Sequence, residues 1–501
     1  MGKMRLISIF ALIAVIGTVQ VFAGGQQDAG SGSGSEMERV TLRFYFFGNS
    51  REKVGEVYEA ISEQYEEELN ADFEVNFIPG SEYRQRVVAL AASGDDYDMN
   101  FDGNWLAFDQ MSSRGAYMDI TELLPEYAPN LHAVYQDLGV LEAATVEGRV
   151  VGLPWTMSMN QRPYFGWNRE AAAQAGVSFS GGDVQSFEDI DQLMSELYAE
   201  FEGTGKEMMG PVNKEAILLL GEYVDLNFHN LVYSVDDPNA TVIPLEQTPE
   251  YLEAARWAKR WNEAGYILAD SVLETVDGNT LLGEGLRLSH FTWHEWKDNL
   301  GKDIGGAESS ELYPDHKFAN RSPLANVAAI NANSANPERT LMFLDLVETD
   351  RDMYDLFHYG IEGVTYVLNG EKAEFAVEGM TQANSNYMEW GGQWAFWKPQ
   401  FMRPNNTYGP GFWEEEARLA ALPQNVNAPL SGFFPKSDNI GNEVAARDQI
   451  WEFDKEIRYG AIDMSAEEAV ATMIEEQQRA GIDVIVADVQ AQVDAYLASR
   501  N

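Results

Sequence analysis

No cysteine occurs among the 501 residues. That excludes structural disulfides and thiolate metal sites, and also the lipid-bearing cysteine with which a lipoprotein begins its mature chain. Basic residues are scarce. Against 80 Asp and Glu there are 34 Lys and Arg, a net charge of −46. Phosphate contacts need clustered cations, so no nucleic-acid partner is expected, and an anionic membrane surface is equally unattractive. Such an excess of acid aids solubility and suits a neutral or cationic ligand rather than a polyanion. Catalytic signatures fail at the positions that matter. His294-Glu295 opens an HExxH pattern, but Asp298 stands where the second zinc ligand is needed. Gly205-Lys206 is followed by Glu207 instead of Ser or Thr, and Glu200 replaces the leading glycine of a phosphate loop. A GxSxG elbow and internal repeats are also lacking.

What the chain has begins with an export segment. Lys3 and Arg5 precede an apolar stretch from Leu6 to Ile16, and Val21-Phe22-Ala23 offers small residues to a signal peptidase. The apolar stretch is shorter than the roughly 20 residues of a membrane span, and Thr18 and Gln20 keep it from extending further. Residues 1–23 are therefore expected to be a cleaved signal peptide. Gly-, Ser- and Gln-rich residues 24–36 have nothing to bury and are expected to form a flexible leader. The folded part begins near Met37 and suits two or three domains of roughly 100–200 residues each. With 12 Trp, 22 Tyr and 25 Phe, the core is easily supplied and some aromatics remain for a surface or cleft.

The first segment alternates strand and helix. Val40 to Phe47 is apolar and β-rich and ends at Gly48-Asn49. Val54, Val57, Tyr58, Ile61, Tyr65 and Leu69 are spaced for one buried helix face. A strand over Phe73 to Ile78 stops at Pro79-Gly80, a helix carries Tyr83, Val87 and Ala91, and a third strand covers Tyr97 to Phe101. That order favours a parallel sheet, whose ligands gather at the carboxyl ends of the strands. Further on, Tyr251, Ala254, Ala255, Ala258 and Trp261 form a helical stripe closed by Gly265. Asn336-Pro337 starts another helix, with Asn as cap and Pro in the first turn. Ser465 and Glu468 fit a capping box in a mostly helical tail.

These segments resemble the family-1 extracellular solute-binding proteins of ABC importers. The likeness lies in Gly115 to Leu124 with Tyr127-Ala128-Pro129, in Gly148 to Pro154, in Trp167-Asn168-Arg169-Glu170 with Ala175-Gly176-Val177, and in Ser186-Phe187-Glu188-Asp189. Asn336 to Asp350, Tyr354 to Tyr366 and Ala480 to Leu497 are similar to the oligosaccharide-binding lipoprotein subgroup, from which the missing lipid-bearing cysteine departs. The resemblance implies an α/β fold of two lobes (type II periplasmic-binding-protein fold) with a helical C-terminal region and the ligand between the lobes. It places crossing segments near Met157 to Gln161, Leu324 to Ala329, and between Val367 and Gln382. Lobe one would hold 37–157 plus 330–370, and lobe two 158–329 plus 371–501. The implied function is capture of a carbohydrate, an oligosaccharide in particular, in the periplasm and its delivery to ABC permease subunits. The protein would be a soluble monomer with no catalytic residues, metal or cofactor.

A sugar presents apolar ring faces and a rim of hydroxyls, so its site needs flat aromatics and planar polar groups. Three clusters have that make-up: Asp102, Asn104 and Trp105; Trp293, His294, Glu295 and Trp296; and Trp390, Gln393, Trp394 and Trp397. The candidate ligand-binding residues are Asn49, Asp102, Asn104, Trp105, Trp293, Glu295, Trp296, Glu362, Trp394 and Trp397. Against this stands ordinary core packing, the commoner fate of a tryptophan, and Trp257 and Trp261 on their helical stripe are expected to be core. The alternative function is a secreted glycoside hydrolase, which needs two carboxylates roughly 5–10 Å apart; with 80 acids such a pair stays open. An adhesin fits the export signal but not the two-lobe pattern.

Overall fold

The computed structural model describes residues 37–146, 148–156, 162–177, 179–273, 278–283, 285–292, 306–320, 322–381, 384–430, 433, 435–437 and 439–499. The expected export segment and leader lie outside the described residues, as does the expected first crossing, 157–161.

Strand β1 (Val40–Phe47) alternates, so Leu42, Phe44 and Phe46 turn inward on one face and are fully buried. It pairs in parallel with β2 (Ala71–Ile78) from Val40 opposite Ala71 to Phe47 opposite Ile78. On its other side it is parallel to β3 (Met99–Asp102). Short β4 (Leu153–Pro154) forms the far edge. The chain then enters a second sheet through β5 (Tyr164–Asn168), whose neighbours are β7 (Arg287–Thr292) and β8 (Ala307–Glu311), both antiparallel to it; β6 (Glu207–Met209) lies beyond β7. After β9 (Phe318–Ala319) the chain returns to the first sheet as β10 (Val327–Ile330), which runs antiparallel between β3 and β4. The first sheet therefore reads β2-β1-β3-β10-β4 and the second β8-β5-β7-β6.

Each sheet carries its own core. In the first, helices Val54–Gln64 and Pro337–Thr349 lay Val57, Ile61 and Phe343 against β1, and the Phe44 and Phe343 rings sit 5.4 Å apart. In the second, helices Phe187–Phe201, Pro249–Glu263 and Ala466–Arg479 cover the sheet with Leu193, Leu197, Ala258, Trp261 and Met473. The capping box of Ser465 and Glu468 is formed. Asn336 does not cap: its side-chain amide reaches instead to Asp98 at 3.3 Å. The expected single helix over 54–69 breaks at Tyr65, whose hydroxyl donates to Asp350 at 2.9 Å. The C-terminal region is helical, and Ile485, Val489 and Val493 of its last helix, Ile482–Ser499, join a smaller third core.

The lobe partition differs from the expected one after residue 370. Residues 366–369 and 372–375 form an antiparallel hairpin instead of a crossing, and Tyr366, Ala373, Tyr387, Met388, Trp390 and Phe396 belong to the first core. The cause is aromatic packing. Trp390 fills a site between Phe46 at 5.0 Å, Phe77 at 5.5 Å and Phe357 at 5.8 Å. Phe401 still packs on that core and Arg403 pairs with Asp355; only beyond Asn406 does the chain leave it, passing through helix Phe412–Ala420 to β11 (Asn425–Val426), which pairs with β9.

Candidate functional site

The carboxyl ends of β1 and β3 lie side by side, so Gly48-Asn49 and Asp102 to Trp105 occupy neighbouring turns. Asp102 is turned into the protein. Its carboxylate accepts the N–H of Gly103 at 2.8 Å and of Ala107 at 3.0 Å, and it also accepts the Tyr117 hydroxyl. Burial pushes this carboxyl up to about 6, although the Tyr117 hydroxyl and both amides favour its charged form. It organises the turn, and the ligand-facing role expected for it does not match its 1% exposure. Half-buried Asp109, in the first turn of the helix Phe108–Ser113, is pushed up to about 8 by burial and then by the charge of Asp102. Asn104 is half-buried and its backbone N–H donates to the Leu324 carbonyl at 2.9 Å. Asn49 is exposed.

The turn that Asp102 holds projects Trp105, which is 41% exposed. Its indole N–H is nevertheless satisfied, donating to the Ala325 carbonyl at 2.7 Å. The approach requires glycine at 103: a Cβ there would lie 2.5 Å from the Ala325 oxygen and 2.9 Å from the Trp105 Nε1. Held by that bond yet 41% exposed, the indole combines a fixed position with access to solvent, as a stacking platform needs.

Trp394 joins this wall from far along the chain. It comes through a close backbone contact between Gly48 and Gly391, where a Cβ on Gly48 would fall 2.7 Å from the Gly391 Cα, and Gly48 itself has φ of +126°. Half-buried Trp394 donates its Nε1–H to the Asn326 side-chain oxygen at 2.8 Å. Phe47 lies between the two indoles, 5.6 Å from Trp105 and 5.8 Å from Trp394, and Phe101 touches both at 6.1 and 6.2 Å. Trp397 is not on this surface. It is buried with Trp155, Met402 and Phe412, edge-on to Tyr408 at 4.9 Å and Trp413 at 5.7 Å. Glu362 is exposed in the turn bridged to Tyr366, which begins the hairpin of 366–375. Trp293, Glu295 and Trp296 lie outside the described residues.

Three features were missed in the sequence. Phe47 reads there as an ordinary strand residue, and Trp155 as the tail of a strand. The third is a buried ion pair. Lys398 pairs with Glu348 and also donates to the Thr156 hydroxyl at 2.8 Å, while Gln400 donates to Glu348 at 3.1 Å. Burial pushes the Lys398 ammonium down, and the charge of Glu348 opposes that shift. No spacing rule joins residues 156, 348 and 398, so nothing in the sequence announces this pair. Among the described residues no group of three or more His, Cys, Asp or Glu is arranged to hold a metal ion.

Residues 60–343 match the family described as "Bacterial extracellular solute-binding protein", and residues 429–498 match a domain of unknown function. A "Carbohydrate ABC transporter substrate-binding protein" of Streptococcus pneumoniae serotype 4 is 22% identical over 98% of this chain and 97% of its own. The fold is similar to that of the N-glycan transport solute binding protein of Streptococcus pneumoniae, with a TM-score of 0.75, 18% identity, and coverage of 93% of this chain and 100% of the other. It is also similar to the ABC-transporter substrate binding protein FusA of the same species, solved in complex with kestose, with a TM-score of 0.64, 13% identity, and coverage of 92% and 100%. Two sheets with separate cores, joined by crossing segments, are thus the two lobes of a known fold. Since the family match takes in more than half of its length, this chain belongs to the bacterial extracellular solute-binding proteins.

Proposed function

We propose that this protein captures a carbohydrate, an oligosaccharide in particular, between its two lobes and hands it to the permease subunits of an ABC importer. The observation that carries the reading is the wall of Trp105 and Trp394 around Phe47 at the carboxyl ends of β1 and β3. An exposed indole and a half-buried one, both with their N–H groups already bonded, offer apolar surface to sugar rings at little further cost in order. The full-length relative described as a carbohydrate substrate-binding protein supports the same ligand class.

Binding without catalysis is part of the proposal. Three buried acids of the first lobe are engaged within the protein: Asp102 holds its turn, Glu348 is paired with Lys398, and Glu389 accepts the Thr407 hydroxyl at 2.6 Å. Net charge favours a neutral sugar over an acidic one. The protein acts outside the cytoplasm, as its family does. We further propose that it acts as a soluble periplasmic monomer, with the signal cleaved after Ala23 and no lipid anchor.

A thermal-shift screen tests the reading with kestose, maltotriose, mannopentaose and chitotriose, and with tetramannuronate as an acidic control. A sugar at 100 times its Kd should add about 2.7 kcal/mol of stability. The bound sugar should be recovered intact by chromatography after long incubation. Stabilisation by tetramannuronate alone would overturn the neutral-sugar reading. Release of shorter sugars, abolished by one carboxylate substitution, would establish the hydrolase instead. N-terminal sequencing of the exported protein should begin at Gly24; recovery only with membranes and with an intact N-terminus would mean an anchor.

A further inference from the structure

Three passages of chain connect the two main cores, and two of them, together with the aromatic wall, meet at one residue. The first leaves the β4 edge through Trp155, the second reaches β10 through residues 322–326, and the third leaves the first core after Asn406, whose side chain still accepts the Phe375 N–H at 3.1 Å. A small core separate from the large ones gathers Trp155 from the first passage, Ala325 from the second, Phe412 from the third, and Trp397 and Met402 from the stretch before it. At its edge sits Asn326, only 2% exposed. The Asn326 carbonyl accepts the Trp155 N–H at 3.0 Å, and its side-chain oxygen accepts the Trp394 indole N–H at 2.8 Å. One residue earlier, the Ala325 carbonyl accepts the Trp105 indole N–H at 2.7 Å.

Both indoles of the wall are therefore fixed to consecutive residues at the first-lobe end of a segment that joins the lobes, between Leu324 of the first core and Val327 of β10. A ligand shifts the balance between open and closed lobes only through contacts that differ between the two states. A platform fixed to one lobe alone would hold ligand without reporting it. A platform whose edge is bonded to the crossing segment changes when that segment changes. Burial makes the bond to Asn326 costly to leave unmade, because water cannot replace the lost acceptor.

We propose that Asn326 is a positioning residue that couples the aromatic wall to the hinge, so that stacking on Trp105 and Trp394 and the disposition of the lobes are set together. This rests on the reading of those tryptophans as the sugar platform. Asn326 itself touches no ligand in the proposal; it acts through Trp394 and Trp155.

The absence of cysteine allows clean spin labelling of the mature protein at two exposed helix positions, Glu63→Cys on the first lobe and Glu188→Cys on the second. Double electron–electron resonance then reads the lobe-to-lobe distance distribution without ligand. Asn326→Ala and Trp394→Phe each remove one side of the same hydrogen bond, and Trp394→Phe keeps a ring in place should the first variant fold poorly. Each is expected to broaden the distribution, and the double variant to broaden it no more than either single one. Asn326→Asp, which keeps an acceptor, should restore the narrow distribution. Kestose affinity should fall about 5- to 30-fold in the two single variants. Distributions as narrow as in the parent, or additive broadening in the double variant, would overturn the coupling. If the parent binds no sugar of the panel yet the variants broaden non-additively, the coupling stands and the carbohydrate reading falls.

Discussion

Each lobe packs tryptophans, and the two lobes use them differently. On the second lobe Trp261 is fully buried, edge-on to Phe187 at 5.7 Å, with its N–H on Asp191 at 3.2 Å. Trp257 lies beside it at 5.5 Å and takes the Arg260 guanidinium over its ring at the same distance. On the first lobe Trp105 keeps its N–H bonded just as well but leaves much of its ring exposed. Satisfaction of the polar edge therefore does not separate core from platform; burial of the ring does. Backbone context produces that difference. Trp257 and Trp261 are spaced four apart on a long amphipathic helix and point into a core, whereas Trp105 follows a glycine at a strand end, where the chain turns outward.

The comparison can be broken most directly at its buried side. Trp261→Ala should cost about 3–5 kcal/mol of stability by denaturant titration, with sugar affinity unchanged in the protein that folds. Trp105→Ala should do the reverse, losing about 2–4 kcal/mol of binding, roughly 30- to 1,000-fold in Kd by calorimetry, with the melting temperature little altered. If the two substitutions instead shift stability alike and leave affinity alone, Trp105 is a core residue with an exposed edge and the distinction collapses.

A smaller effect sharpens the account of the turn behind Trp105. Asp109 is held at about 8, well above its ordinary value of 3.8. Between those values the folded protein keeps a proton that the unfolded chain releases, so stability falls as pH rises through that window. Asp109→Asn should therefore stabilise the protein by about 1–3 kcal/mol at pH 8 and make little difference near pH 4. Equal effects at both pH values would mean that Asp109 titrates normally. The smallest effect belongs to the second lobe: Ser465→Ala removes the capping box and should cost about 1 kcal/mol without changing Kd.

Local rules were legible wherever a period or a cap decides structure. The strand over Val40 to Phe47, the stripe from Tyr251 to Trp261 and the cap at Ser465 are found where the residues place them. The turns at Gly48 and after Asp102 were legible as the place to look, because a parallel sheet exposes its strand ends there. Their polar members were harder to read. A carboxylate in a Gly-Asn turn looks the same in sequence whether it faces solvent or, like Asp102, faces Tyr117 and two backbone amides.

Composition, periodicity and capping residues determined the α/β alternation, the apolar faces of the helices and the exclusion of thiol chemistry, because each depends on residues within a few positions of one another. Tertiary structure alone decided that Trp390 enters the first core, that Trp394 stands beside Trp105 while Trp397 is buried, and that Lys398 meets Glu348. Those contacts span tens to hundreds of residues along the chain. They form because packing in three dimensions selects whichever ring or charge fits, and linear spacing carries no record of that choice.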